Sequence, residues 1–135
     1  MKKSRIAGLA GLLAVGFAGA ALAQGGLATE IATAHTHAKY AAEASTVAVS
    51  HVHLHHVINC LVGPKGAGFD AGQADPCKGQ GHGALPDAAS DHALHATLEK
   101  ALATAQAGLK ADTLANAHHD ADKVAAILQD AQSKH

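Results

Sequence analysis

The sequence predicts an all-α protein, an up-down-up-down four-helix bundle with a disulfide-stapled, glycine-rich loop between its second and third helices. Four segments carry apolar residues at alternating spacings of three and four, the repeat of an amphipathic helix. A stretch from residue 63 to residue 84, with seven glycines and two prolines, separates the second segment from the third. Glycine and proline at that density exclude a continuous helix, so this stretch must be a connection.

The first two predicted helices flank a short turn near Ala44. The first helix runs from about Leu27 to Glu43. The second begins after Ser45 or Thr46, both favourable N-caps, and ends at Val62 before Gly63-Pro64. Their apolar stripes are Leu27, Ile31, Ala34, Ala38 and Ala41 in the first, and Val47, His51, Leu54, Ile58 and Leu61 in the second.

One segment is also compatible with a β-strand. The residues from Val47 to His55 alternate, and on a strand His51, His53 and His55 would share one face. The helical stripe continues beyond this segment to Leu61, and the other three segments are helical. We therefore predict a helix here.

The third and fourth predicted helices meet at a second short turn. The third begins at Leu85-Pro86-Asp87, where proline suits the first helical turn, and ends at Gly108. The fourth begins at Asp112 or Thr113. Their stripes are Asp91, Leu94, Leu98, Ala101 and Ala105 in the third, and Leu114, Ala117, Ala121, Val124, Leu128 and Ala131 in the fourth.

The N-terminal segment has the pattern of a cleaved secretory signal covering residues 1–23. Lys2, Lys3 and Arg5 precede an uncharged apolar run, and Ala21-Leu22-Ala23 matches the small-x-small pattern of signal peptidase sites. The apolar run is short and rich in Gly and Ala, which argues against a retained membrane anchor. We expect a single mature domain over residues 24–135, located in the periplasm or secreted, with no membrane association after cleavage.

Charge in the mature part argues against nucleic acid as a partner. After residue 23 no Arg remains, and seven Lys stand against eleven Asp and Glu, a net charge of −4 with His neutral. Recognition of phosphate usually needs Arg or a basic patch. Nucleic acid and anionic membranes are therefore poor candidate partners.

The two cysteines, Cys60 and Cys77, are predicted to form a disulfide. An exported chain reaches an oxidising compartment, where a bridge is the default and a thiolate metal pair is the alternative. A ring of this size stabilises a fold by roughly 3 kcal/mol on the loop-entropy estimate. That contribution matters because the predicted core is largely alanine, which buries little apolar area.

Histidine is the unusual component of the sequence. The chain has 12 His, all after residue 23. In each predicted helix one histidine directly follows a stripe residue, so its imidazole flanks the buried seam. Other pairs lie one turn apart on a shared face, where two imidazoles can bind one ion. The candidate metal ligands are His35, His37, His51, His53, His55, His56, His92, His95, His118, His119 and Asp91.

Counting residues from the turns predicts which histidines lie level in an antiparallel bundle. His35, His55, His92 and His95 should lie level, toward the end that carries the disulfide loop. His51, His118 and His119 should lie nearer the opposite end, where they form a second candidate cluster. His82 and His135 lie off the seams and are expected to be solvated.

The donor set indicates a divalent transition metal. Neutral imidazole suits Cu(II) foremost, and also Ni(II) and Zn(II). Asp91 is placed either to bind the ion or to orient a neighbouring imidazole. Buffering of protons or pH sensing is an alternative use of so many histidines, because His titrates near neutrality.

The sequence resembles the small periplasmic His-rich metal-binding proteins of ammonia-oxidising and metal-resistant bacteria. Three segments carry the resemblance: Ala34-His35-Thr36-His37-Ala38-Lys39, His51-Val52-His53-Leu54-His55-His56 and Ala117-His118-His119-Asp120. The loop between the cysteines is not a feature of that pattern. The resemblance implies binding of several divalent ions, copper foremost, for buffering or tolerance.

Other functional classes have less support. We do not expect an enzyme, because Ser–His neighbours arise by chance at this His content and no Glu-x-x-His pair of a di-iron bundle is present. A bis-His b-type haem is an alternative, although no Cys-x-x-Cys-His motif exists. A purely structural or partner-binding helical module is the remaining alternative.

Overall fold

The computed structural model describes the backbone of residues 19–134 and the side chains of residues 26–134. Most of the predicted signal, residues 1–18, and His135 lie outside the described residues. The helices are α1 (Gly19–Ala42), α2 (Val47–Val62), α3 (Ala84–Asp87), α4 (His92–Gly108) and α5 (Leu114–Lys134). The all-helical prediction is confirmed over this range, which contains no strand. None of these helices is long and apolar enough to cross a membrane.

The segment with two interpretations is helical. Thr46 has an extended backbone, with φ −142° and ψ 156°, and its hydroxyl accepts a hydrogen bond from the N–H of Val49. This cap starts α2 at Val47. Leu54, Ile58 and Leu61 are then buried on one side of the helix. The buried residues therefore follow the spacing of a helix, and the strand-like alternation of this segment does not determine its structure.

The third predicted helix differs from the structure at its beginning. The prediction opens one helix at Leu85, whereas the chain forms the short α3, leaves the helix, and starts α4 at His92. Asp91 has a non-helical backbone, with φ −105° and ψ 91°, and its carboxylate accepts a hydrogen bond from the N–H of Leu94. Asp91 thus acts as an N-cap, which ends the continuity that the apolar spacing suggested.

Alanines let the long helices approach closely. Helix α1 contacts α2 and α5, and α4 contacts α5 and α2, while α2 also contacts α5. Leucines such as Leu54 and Leu98 fill the interior, and Ala34, Ala38 and Ala41 of α1 are fully buried. Small side chains at these contacts shorten the distance between helix axes. This close approach determines which side chains on neighbouring helices can meet.

The disulfide between Cys60 and Cys77 is present, with 5.2 Å between the Cα atoms, as the sequence predicted. Asn59, the residue before Cys60, is fully buried. The side-chain Nδ2 of Asn59 donates hydrogen bonds to the backbone carbonyls of Asp70 and Ala74. Its side-chain Oδ1 accepts one from the backbone N–H of Asp70. The bridge and this amide together hold the loop against the C-terminal end of α2.

Glycine is required where this loop returns to α2. Gly63 has a φ of 69°, and its N–H donates to the carbonyl of Asn59 to end the helix. A Cβ at this position would overlap the carbonyl oxygen of His82. Gly63 thus has both a positive φ and a close contact with the backbone of His82, and only glycine accommodates both without strain.

Glu30 of α1 is buried, with 1% of its surface exposed. Its Oε1 accepts a hydrogen bond of 2.8 Å from the N–H of Gly83, and its Oε2 has no hydrogen-bond partner. The pKa of this carboxyl is raised to about 7, chiefly by burial and also by the nearby Asp87, against the lowering effect of the Gly83 hydrogen bond. No apolar periodicity marks this residue, so the sequence analysis missed it.

The contribution of Glu30 to stability is predicted to fall as the pH rises. The folded carboxyl binds a proton more tightly than the unfolded one, whose pKa is near 4.5. The protonated form therefore stabilises the fold at low pH, and that stabilisation is lost between pH 4.5 and about pH 7. The shift corresponds to about 3 kcal/mol. As the pH rises from 5 to 8, the free energy of unfolding of Glu30→Gln should therefore increase relative to that of the wild type by about this amount.

Denaturant unfolding at several pH values measures this difference. Glu43→Gln is the matched control, because Glu43 is an exposed carboxylate at the end of the same helix. Its stability relative to the wild type should change little with pH. If the difference in the free energy of unfolding between Glu30→Gln and the wild type stays constant from pH 5 to pH 8, the prediction for the buried carboxyl is wrong.

Candidate metal centre

Three histidines converge where α1 packs against α2. His37 lies on α1, and His53 and His56 lie on α2, three residues apart and therefore on a shared face. The short turn between the helices fixes their register. His118 of α5 strengthens that turn, because its Nε2 donates a hydrogen bond of 2.8 Å to the carbonyl of Ala44. We call His37, His53 and His56 the histidine trio.

The Nδ1 atoms of the trio face one another. The Nδ1 of His37 lies 3.1 Å from the Nδ1 of His53 and 3.3 Å from the Nδ1 of His56. One ligand atom from each residue lies within 4.8 Å of the other two. The ring centroids are 4.9 to 5.5 Å apart. His37 is thus the central member, in contact with both imidazoles of α2.

Hydrogen bonding alone does not satisfy this arrangement well. Each imidazole nitrogen carries either one N–H or one lone pair in the plane of its ring. The Nδ1 of His37 faces two other Nδ1 atoms. If it makes a well-directed hydrogen bond with one of them, the other has no hydrogen-bond partner at His37. A cation that accepts all three lone pairs satisfies every nitrogen at once.

The spacing of the nitrogens matches a metal coordination sphere. Metal–imidazole bonds of about 2.0–2.1 Å place neighbouring ligand nitrogens about 2.9 Å apart in a square arrangement and about 3.3 Å apart in a tetrahedral one. The two measured Nδ1 separations, 3.1 and 3.3 Å, lie in that range. Three neutral nitrogens suit Cu(II), Ni(II) and Zn(II), whereas Ca(II) and Mg(II) prefer oxygen.

Partial burial keeps these imidazoles neutral. The pKa of His37 is lowered to about 4, chiefly by desolvation and also by the charges that His56 and His53 would carry. Burial also lowers the pKa of His53, and burial together with His53 and His55 lowers that of His56. At neutral pH the trio therefore offers lone pairs without removal of a proton.

Tyr40 borders the trio on α1. Its ring meets the edge of His37 at a centroid distance of 5.6 Å, and it lies 5.4 Å from the ring of His53. Tyr40 is three residues after His37, so it covers the same side of the helix. Two aromatic contacts restrict the rotation of both imidazoles, which helps to hold the nitrogens in place.

Several other predicted ligands make separate contacts. The Nδ1 of His55 lies 3.5 Å from an Asp70 carboxylate oxygen, and that of His95 lies 3.8 Å from Glu99. His118 is bonded to the Ala44 carbonyl.

The remaining predicted ligands do not share a site either. Asp91 caps α4. His92 and His119 are exposed, whereas His35 and His51 are half-buried. Burial and the nearby Lys39 lower the pKa of His35. The Nε2 of His51 is buried and has no hydrogen-bond partner.

The clusters expected from counting levels are not formed. Across the side chains of residues 26–134, the trio is the one group of three or more His, Cys, Asp or Glu with ligand atoms within 4.8 Å. His35, His55, His92 and His95 make no such group. Counting gives the height of a residue in the bundle but not its direction, and residues two apart on a helix point about 200° apart. His37 therefore faces α2 where His35 does not.

Comparison of the chain with protein-family models, with curated proteins and with solved structures finds no match. The function is therefore argued from the geometry of the trio.

The trio predicts an unusually acidic histidine in the metal-free protein. Because burial and two neighbouring imidazoles lower its pKa, His37 should become half-protonated near pH 4 instead of the ordinary 6.5. At this residue the folded state then binds fewer protons than the unfolded state. The contribution of His37 to stability therefore falls on acidification from pH 6.5 to about pH 4, opposite in sign to the contribution of Glu30. NMR titration of the imidazole nitrogens measures the midpoint directly.

The variant His56→Ala tests the cause. It removes the neighbouring imidazole with the larger effect and opens His37 to solvent, so the His37 midpoint should rise toward 6.5. A wild-type midpoint close to 6.5, or a midpoint unmoved by His56→Ala, would contradict the packing described for the trio.

Proposed function

We propose that this protein is exported and binds divalent transition metal ions, Cu(II) foremost and also Ni(II) or Zn(II), to buffer or deliver them. The observation that carries the proposal is the convergence of three Nδ1 atoms at separations typical of ligands on one ion. The high histidine content and the resemblance of three sequence segments to periplasmic His-rich proteins add support.

The coordination number favours an exchangeable ion. Structural zinc sites are usually closed by four protein ligands, whereas sites with three leave a position for water or another ligand. The trio provides three donors at a half-buried surface between two helices. An incoming chelator or partner can therefore reach the ion, which suits buffering or delivery.

The scaffold proposed for this site is an up-down-up-down four-helix bundle formed by α1, α2, α4 and α5. The contacts of α1 with α2 and α5, and of α4 with α5 and α2, support it. In this arrangement the trio lies between two adjacent helices that a short turn connects. The ligands of α2 thus stay aligned with His37 without the ion.

Export through the signal over residues 1–23 is the second part of the proposal. The disulfide supports it, because such bonds persist mainly in oxidising compartments. We expect the protein isolated from a periplasmic or secreted fraction to begin at Gln24, as measured by mass spectrometry of the intact chain. A cytosolic protein that retains residues 1–23 would contradict this prediction.

The decisive metal-binding experiment compares two double variants. His53→Ala/His56→Ala removes two ligands of the trio, and we expect a loss of Cu(II) affinity of roughly a hundredfold or more, measured by competition with chelators. His92→Ala/His119→Ala is the matched control, because both residues are exposed histidines on helices outside the trio. It should leave the tightest affinity unchanged.

Thermal unfolding provides a second measurement of the same site. An ion that binds only the folded state stabilises it by roughly 2.7 kcal/mol at a hundredfold excess over Kd. The wild type and the control should gain this stability, and the His53/His56 variant should gain much less. Equal stabilisation of all three proteins would mean that histidines bind ions independently across the surface.

A further variant tests the cluster expected from level counting. His55→Ala/His95→Ala should retain the tightest site, because neither residue belongs to the trio. Loss of that site in this variant, with retention in His53→Ala/His56→Ala, would move the metal centre away from the trio.

A further inference from the structure

Exposed apolar side chains lie close to the trio. Tyr40, Val49 and Val52 are the large hydrophobic side chains left exposed among the described residues, at 49%, 43% and 39%. Val49 and Val52 each lie one turn before a ligand, His53 and His56 respectively, and Tyr40 contacts the trio directly. The exposed apolar side chains thus gather around one site instead of scattering over the surface.

We define the trio face as the surface formed by Tyr40, Val49, Val52, His37, His53 and His56. It contains no Lys, Arg, Asp or Glu, although the sequence after residue 23 carries a net charge of −4. These six side chains offer a charged partner no Lys, Arg, Asp or Glu to pair with. A partner whose own contact surface is apolar and free of formal charge fits it better.

The coordination sphere of an ion at the trio is incomplete. Transition metals take at least four ligands, and no fourth His, Cys, Asp or Glu of residues 26–134 joins the group. Water or another molecule that approaches the trio face can supply further donors.

We propose that a second copy of this chain covers the trio face, and that the bound ion is shared between the two copies. This inference rests on the proposed metal binding. In a two-fold contact the same surface meets itself, so valines face valines and each trio faces the other. An ion on the two-fold axis receives the same nitrogens from each copy, which completes its coordination sphere with an even number of imidazoles.

The size of the face makes the association depend on the metal. Stable interfaces bury about 800 Å² on each partner, with twenty or more residues a side. Six residues, three of them apolar side chains that are only partly exposed, fall well below that size. Without the ion the chains should therefore remain monomeric, and the coordinate bonds provide the attraction that the apolar contact lacks.

The experiment measures mass and metal content together. Sedimentation velocity and native mass spectrometry of the mature, disulfide-bonded chain should show a monomer in chelator and a dimer after addition of Zn(II) or Ni(II). The dimer should contain one tightly bound ion for every two chains. His53→Ala/His56→Ala should remain monomeric at the same metal concentration.

Variants of the apolar rim separate association from metal binding. Val49→Gln/Val52→Gln keeps all three ligands and should raise the dimer dissociation constant roughly tenfold or more while the monomer still binds the ion. Ala96→Gln/Ala103→Gln is the matched control, because both alanines are exposed on α4, which does not contact α1. It should form the dimer like the wild type.

The outcomes distinguish the two proposals. A wild type that binds one ion per chain and stays monomeric overturns the shared site but leaves metal binding intact. A dimer that forms equally well in both glutamine variants shows that another surface mediates association, and it also overturns the inference. Absence of tight binding in the wild type refutes the proposed function itself.

Discussion

The close contact between α1 and α2 is the constraint on which the site depends. Ala34, Ala38 and Ala41 of α1 are fully buried, and small side chains at a helix contact permit a short distance between the helix axes. Imidazoles that flank this contact can therefore bridge it, and the Nδ1 atoms of His37 and His53 lie 3.1 Å apart. Bulkier residues at the alanine positions would separate the helices and with them the ligands.

Burial acts in opposite directions on the two kinds of titratable group in this fold. It raises the pKa of Glu30 to about 7 and lowers that of His37 to about 4, because in each case the uncharged form is favoured away from water. A neutral carboxyl can remain beside Asp87 at the loop end. A neutral imidazole keeps its lone pair for a metal. The same desolvation therefore makes stability depend on pH at Glu30 and leaves lone pairs free at the trio.

The sequence predicts much of the fold because its signals are local. Apolar spacing locates the helices, and the helical assignment from Val47 onward and the bridge between Cys60 and Cys77 are confirmed. The break before His92 was missed, since the stripe through Asp91 continues across it and only the capping hydrogen bond reveals it. Glu30 was missed because its burial depends on Gly83, which is distant in sequence.

The candidate site shows where sequence reasoning stops. All three members of the trio were among the predicted ligands, but level counting favoured a different set around His35 and His55. Which imidazoles meet depends on the direction in which each side chain leaves its helix, and a change of two positions nearly reverses that direction. The position of His37 relative to the buried alanines of α1 contains part of this information. Whether His37 faces His53 and His56 depends on how α1 and α2 are each oriented about their own axes, and tertiary packing determines that orientation.

A thin alanine core changes what metal binding can mean for this fold. If the ion were needed for folding, as in zinc fingers, its release would unfold the chain. Here the covalent bridge and the Asn59 amide hold the loop independently of the trio, and the leucines of α2 and α4 are buried without it. Binding of the proposed ion would therefore add stability to a scaffold that already holds the three histidines in register. Such a scaffold can release its metal to a competing ligand and remain folded to bind another, which is the physical requirement for buffering.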